Sequence, residues 1–319
     1  MRFYDIFNGD ADGLCALQQL RLAQPREATL VTGVKRDIAL LSKVKANAGD
    51  ELTVLDISLD ANREPLLRAL HDGARVRYFD HHFAGEIPVH DCLEAHIETS
   101  PVLCTSLIVD RHLGGRFRAW AVAAAFGDNL HAEARSAAAA LNLSPAQVDV
   151  LRVLGECLNY NAYGRDLADL HFHPAELFAR MRPFADPFAF VAQAGEIEIL
   201  ERESAADLQR ARALPRETIG ERAVVVYLPD EAWGRRIAGT FANDLARSHA
   251  DRIVALLLRS SEGHQVSLRA PGSHGLQAHL IAQRFEAGNG RARAAGIPRI
   301  DESDLPKLMA LLANPPATG

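Results

Sequence analysis

Arg75-Val76-Arg77-Tyr78-Phe79-Asp80-His81-His82 is the stretch from which the rest of the chain is read. Arg75 to Phe79 has the β-branched and aromatic character of a buried strand. It ends in one carboxylate and two imidazoles, groups that are costly at a strand exit unless a partner satisfies them. Three metal-preferring side chains in a row make a candidate site, and the flanking sequence supplies more acids in the same setting.

Upstream, the apolar run Met1 to Phe7 gives way to Asn8-Gly9-Asp10-Ala11-Asp12-Gly13, after which Leu14, Leu17, Gln18 and Leu22 recur at helical spacing. Thr29 to Gly33 is a second strand candidate, with Lys35 and Arg36 just beyond it. Leu52 to Ile57 is a third, carrying Asp56 at its end, and Arg63 to His71 reads as a helix closed by Gly73. Strands alternating with helices predict an α/β fold, with a parallel sheet and helices on both faces. Ligands of such sheets lie beyond the carboxyl ends of the strands. Asp10, Asp12, Asp56, Asp80, His81 and His82 all fall there, so the topology would gather residues spread from position 10 to position 82 along one edge.

From Thr99 to Tyr160 the pattern is helical. Ser100-Pro101 and Ser144-Pro145 read as helix starts, with serine as cap and proline in the first turn. Ala119 to Phe126 is a third helix, ending in Gly127-Asp128-Asn129. Tyr163 to Pro187 is rich in Pro, His and Phe and has no clean period. The predicted organisation is a metal-binding domain over residues 1–190, a charged connecting helix over 191–215 and a smaller α/β domain over 216–319. Within the last, Ala223 to Leu228, Arg252 to Leu258 and Gln265 to Arg269 are strand candidates. Arg235 to Ser248, Gly275 to Phe285 and Asp304 to Leu312 are helix candidates, and Gly288 to Gly296 is a glycine-rich basic loop.

Five aspartates (10, 12, 56, 80 and 128) around His81 would repel one another, and some would protonate. Divalent cations reverse that and keep them ionised. Carboxylate with imidazole suits Mn²⁺, with Mg²⁺, Co²⁺ or Zn²⁺ as alternatives, whereas thiolate zinc is excluded because Cys15, Cys92, Cys104 and Cys157 form no CxxC pair. Two such ions could clamp a phosphate between them.

These motifs resemble the DHH phosphoesterase superfamily, which includes nanoRNases and related oligonucleotide phosphodiesterases, RecJ, manganese pyrophosphatases and exopolyphosphatases. Asp10-Ala11-Asp12-Gly13 is similar to its first motif, Asp56 to its second, Asp80-His81-His82 to its third and Asp128 to its fourth. The resemblance implies two divalent ions, Mn²⁺ foremost. Asp56 would bridge them, Asp10 would complete one sphere, and Asp12, His81 and Asp128 the other. Asp56, Asp80 and His82 would serve catalysis, with His82 facing the substrate phosphate. The family often has a histidine just before its first aspartates; Asn8 stands there, a weaker ligand. The last domain resembles the DHH-associated domain, lying across a cleft from the first. It implies that Arg269, Gly288, Gly290, Arg291, Arg293 and Gly296 bind substrate, although Arg291 stands where the family has histidine.

Charge agrees with that assignment. Residues 259–299 hold six arginines and two glutamates, a local +4 in a chain of −6. Arginine forks and glycine-exposed amides grip phosphate. Lys35 and Arg36 could face a phosphate or lie on the surface, and Trp120 and Trp233 read as packing residues. Hydrophobic residues at 48% and charged residues at 24% are ordinary for a soluble enzyme, and the acidic balance argues against broad nucleic-acid binding. No signal peptide or membrane span is read, so a cytoplasmic protein is expected. The expected activity is hydrolysis of short single-stranded oligonucleotides or dinucleotides, since no oligonucleotide-binding fold is appended. The alternatives are a polyphosphate or pyrophosphate substrate, or a catalytically weakened nucleic-acid binder. Homodimerisation is left open.

Overall fold

The computed structural model describes residues 1–271 and 276–316. They divide into two compact units, 1–202 and 203–319, with one helix running across the boundary.

The first unit begins β1 (Phe3–Phe7), α1 (Ala11–Ala23), β2 (Thr29–Val31), β3 (Glu51–Leu55), α2 (Arg63–His71), β4 (Arg75–Asp80) and β5 (Leu93–Ile97). These strands form one parallel sheet in the order β2-β1-β3-β4-β5. Alternation along the strands sorts the two faces. Tyr4, Ile6, Leu52, Val54, Val76 and Tyr78 are buried in a cluster with Leu66, Ala69 and Leu70 of α2. Asp5 and Thr53 point to the opposite face, where Arg21 of α1 reaches both: its Nε donates to Asp5 Oδ2 at 2.8 Å and its Nη2 to Thr53 Oγ1 at 3.0 Å.

The helices that follow are α3 (Thr105–His112), α4 (Arg118–Gly127), α5 (His131–Ala139), α6 (Pro145–Ala162), α7 (Pro174–Met181), α8 (Pro187–Gln193) and α9 (Glu196–Arg212). α1, α4 and α6 cross closely because small residues meet: a Cβ on Gly155 would lie 1.8 Å from the Ala123 carbonyl oxygen, and one on Gly127 would lie 2.4 Å from Ala11 Cβ. The expected cap at Ser144 is present as a full capping box with Gln147. The expected start at Ser100-Pro101 is not a helix; α3 begins at Thr105. The aperiodic stretch 163–187 contains α7, held by polar anchors: Gln18 Nε2 donates to the carbonyls of Met181 and Phe184, and Trp120 Nε1 to that of Ala185.

The second unit contains β6 (Glu217–Ile219), β7 (Ala223–Leu228), α10 (Ala232–Ser248), β8 (Ile253–Ser260), β9 (Gly263–Arg269), α11 (Ala278–Ala282), β10 (Asn289–Gly290), β11 (Ala294–Ile300) and α12 (Leu305–Ala313). Its sheet runs β10-β11-β9-β8-β7-β6 and is mixed, β7 and β8 being the parallel pair. The helix expected over 275–285 begins outside the described residues; inside them it is α11. Together the units form an α/β protein with a parallel first sheet and a separate mixed second sheet.

Candidate metal centre

The strand order reverses direction between β1 and β3, and β1, β3 and β4 are neighbours. The crevice beyond the carboxyl ends at such a switch point is where doubly wound sheets bind ligands. Asp10 and Asp12 leave β1, Asp56 leaves β3, and Asp80, His81 and His82 end β4. Asp128 arrives from another direction, as the C-cap of α4.

Asp10 caps α1: its Oδ1 accepts from the amides of Asp12 at 3.0 Å and Gly13 at 3.1 Å. The turn closes only with glycine at 13, where a Cβ would lie 2.1 Å from the Asn8 carbonyl oxygen. Asp12 sits at the start of α3, accepting from the amides of Thr105 and Ser106, each at 2.7 Å. This carboxylate from a distant element therefore does what Ser100 was expected to do, and the helix N-terminus favours its charge. The Thr105 hydroxyl donates to Asp56 Oδ1 at 3.0 Å. Asp56 itself has φ 58°, a left-handed backbone that aspartate tolerates better than most residues.

His81 shows what the centre is built to hold. Its Nδ1 lies 2.8 Å from the Leu103 carbonyl oxygen, which can only accept, so Nδ1 carries the proton. Its Nε2 then faces Asp56 Oδ1 at 3.5 Å, Asp128 Oδ2 at 3.9 Å and Asp12 Oδ2 at 4.0 Å. Carboxylates gathered on one ring nitrogen repel one another unless a proton on that nitrogen or a cation lies between them. Ligand atoms each about 2.1 Å from a common ion lie at most roughly 4.2 Å apart, which covers these separations. Among the described residues, Asp12, His81 and Asp128 each bring one ligand atom within 4.8 Å of the others, as do Asp56, His81 and His82, so either group could hold a divalent metal.

The electrostatics agree. Burial, then the fields of Asp12, Asp10, Asp128 and Asp80, push the Asp56 carboxyl well above its ordinary range. Burial also raises Asp128, against the opposing pull of Lys35. Asp80 is fully buried and its Oδ1 accepts from His82 Nδ1 at 2.7 Å. Burial alone would lower the His82 pKa, but that bond and the charge of Asp80 raise it.

Two expected positions look different in place. Asn8, read as a weak ligand, spends its amide on the loop: Nδ2 donates to the Lys35 carbonyl at 3.2 Å and Oδ1 accepts from the Asp10 amide at 3.3 Å. Lys35, read as facing phosphate or solvent, has its ammonium 2.5 Å from Asp10 Oδ2. Thr105, Ser106 and Asn159 were not anticipated as members of the site.

The second unit holds the remaining expected residues. Gly288 follows α11, and Gly290 lies in a hairpin in which Asn289 pairs with Gly296 and Gly290 with Ala295. The Arg291 amide donates to the Ala294 carbonyl at 2.7 Å, closing the turn, and Arg291 and Arg293 are exposed there. Arg269, at the end of β9 and paired with Ala294 of β11, donates through Nε to Asn243 Oδ1 at 2.8 Å. The expected loop is thus a two-stranded basic turn.

No protein-family model matches the chain, and no curated protein matches it in sequence. Solved structures do match in fold. RecJ of Thermus thermophilus, crystallised in complex with Mn²⁺, aligns with 99% of this chain at 19% identity and a TM-score of 0.65. The chain spans 52% of that RecJ. A pGpG-specific phosphodiesterase of Vibrio cholerae aligns with 98% of each chain at 14% identity and a TM-score of 0.57. An exopolyphosphatase-related protein of Bacteroides fragilis aligns with 98% of this chain and 91% of its own, at 12% identity and a TM-score of 0.52. These likenesses define the class of fold, a parallel-sheet α/β domain followed by a smaller mixed-sheet domain. It is the fold that these three structures share with this chain.

Proposed function

We propose that the protein is a divalent-metal-dependent phosphoesterase that hydrolyses phosphodiester bonds of short oligonucleotides or dinucleotides. The observation that carries this reading is His81 Nε2 aimed, by the bond from Nδ1 to the Leu103 carbonyl, at three carboxylates. Mn²⁺ is the favoured ion for that donor set. When bound, it would supply Lewis-acid chemistry, polarising a phosphoryl oxygen and making water more acidic.

The chain's own residues do the rest. Asp12 and Asp56 are held rigid by the amides of α3 and the Thr105 hydroxyl, so the donor set is preorganised. His82, oriented by the bond from its Nδ1 to Asp80, would face the phosphoryl group with Nε2 and, when protonated, steady its charge. Arg269, Arg291, Arg293 and the Gly288–Gly296 turn are proposed as phosphate-binding groups of the second unit.

The test is a parallel assay of pApA, a cyclic dinucleotide and inorganic polyphosphate in Mn²⁺ and in chelator. Mn²⁺-dependent cleavage of pApA, lost in Asp56→Asn, is expected. Cleavage of polyphosphate alone would keep the metal centre and overturn the substrate. Cleavage unaffected by chelator would overturn the metal reading itself.

A further inference from the structure

The DHH-type site is expected to hold two ions, one of them on Asp10, yet both oxygens of Asp10 already have protein partners. Its Oδ1 is occupied by the amides of Asp12 and Gly13. Its Oδ2 lies 2.5 Å from Lys35 Nζ. The same ammonium donates to Asn159 Oδ1 at 3.1 Å and lies 3.6 Å from Asp128 Oδ1. An ammonium has three donors, and three oxygens surround this one.

Lys35 is also built into place. Its amide donates to the Ala162 carbonyl at the end of α6 at 2.9 Å, and its carbonyl accepts from Asn8 Nδ2 at 3.2 Å. Asn8 stands where the resembling family often has a metal-binding histidine. Its amide holds the backbone of the lysine instead, so the loss of an imidazole ligand and the gain of an ammonium are two sides of one arrangement.

We propose that the Lys35 ammonium takes the place of one of the two metal ions, so that the centre is mononuclear, with its single ion in the group of Asp12, His81 and Asp128 and with Asp56 facing it. This rests on the metal-dependent reading above and changes its stoichiometry. The lysine supplies a fixed positive charge beside Asp128 that needs no loading from solution, and it leaves Asp10 a positioning residue rather than a ligand.

The experiment uses the full chain, stripped with chelator and titrated with Mn²⁺. Calorimetry and metal analysis of the dialysed protein give the count, and electron paramagnetic resonance distinguishes isolated from exchange-coupled ions. The wild type is expected to bind one ion with the spectrum of an isolated centre. Asp10→Asn should still bind one, and Lys35→Met should bind two with a coupled spectrum. Two coupled ions in the wild type, or loss of the ion in Asp10→Asn, would overturn the substitution while leaving the metal-dependent reading intact. One ion in both wild type and Lys35→Met would also overturn it. Should Lys35→Met fail to fold, the wild-type and Asp10→Asn counts decide. No ion in the folded wild type would overturn the metal-dependent reading along with this one.

Discussion

Asp56→Asn separates the two things Asp56 does, because asparagine keeps its shape and removes its charge. Asparagine adopts the left-handed backbone at φ 58° as readily as aspartate, and its Oδ1 can still accept from the Thr105 hydroxyl. What disappears is a buried negative charge facing Asp12, Asp10, Asp128 and Asp80. Relief of such a group is worth about 1–3 kcal/mol. For a unit of 202 residues, each kcal/mol moves the midpoint by roughly 2–4 °C. In chelator, the variant should therefore melt roughly 2–12 °C above the wild type. With Mn²⁺ at about 100 times its dissociation constant, the wild type gains about 2.7 kcal/mol, or roughly 5–11 °C, while the variant gains nothing at that concentration. Differential scanning calorimetry with and without Mn²⁺ reads all four values. A variant less stable than the wild type in chelator, and raised as much as the wild type by Mn²⁺, would refute the view that Asp56 is a strained ligand.

Four further outcomes follow from named contacts. Asp56→Asn should also lower turnover at least about 100-fold at saturating metal, measured by release of mononucleotide from pApA. Thr105→Val removes the hydroxyl that orients Asp56 and should weaken Mn²⁺ binding about 10–100-fold by calorimetry, with the fold intact by circular dichroism. Arg21→Met leaves Asp5 charged and buried beneath the sheet and should cost about 3–5 kcal/mol in urea unfolding. In the second unit, the hydrogen bond and charge of Arg212 hold Asp244 below the usual carboxylate range, against burial. Its stabilising effect is present above the ordinary carboxylate pKa and is lost as pH falls through the depressed one. Arg212→Gln should therefore flatten the acid limb of stability against pH.

The parts legible in the sequence share one physical property: a local pattern that tertiary contacts reinforce. β1, β3 and β4 are apolar runs buried in the sheet, and each ends at the acids that mark the site. The Arg63–His71 helix and the Ser144 capping box were readable because their signals are contained within one or two turns. β5 was missed although Leu-Glu-Ala-His-Ile alternates apolar and polar residues, because it is only five residues long; it lies at the sheet edge, where His96 stacks on Phe79 at 4.5 Å. The stretch 163–187 was opaque because its order is imposed by Gln18, Trp120 and Asn161 reaching its backbone from other helices. The start of α3 was misplaced for the same reason: its first amides are satisfied by Asp12, far away in sequence, not by a local serine. Lys35 was named but its role was not, since one residue number cannot show that Asp10, Asp128 and Asn159 converge on its ammonium.

The most direct measurement is anomalous diffraction at the manganese edge from crystals grown with Mn²⁺. The account predicts a peak enclosed by Asp12, Asp56, His81 and Asp128, with His81 Nε2 as its nitrogen ligand. A map with no peak among those four side chains, from a folded protein in saturating Mn²⁺, would contradict it.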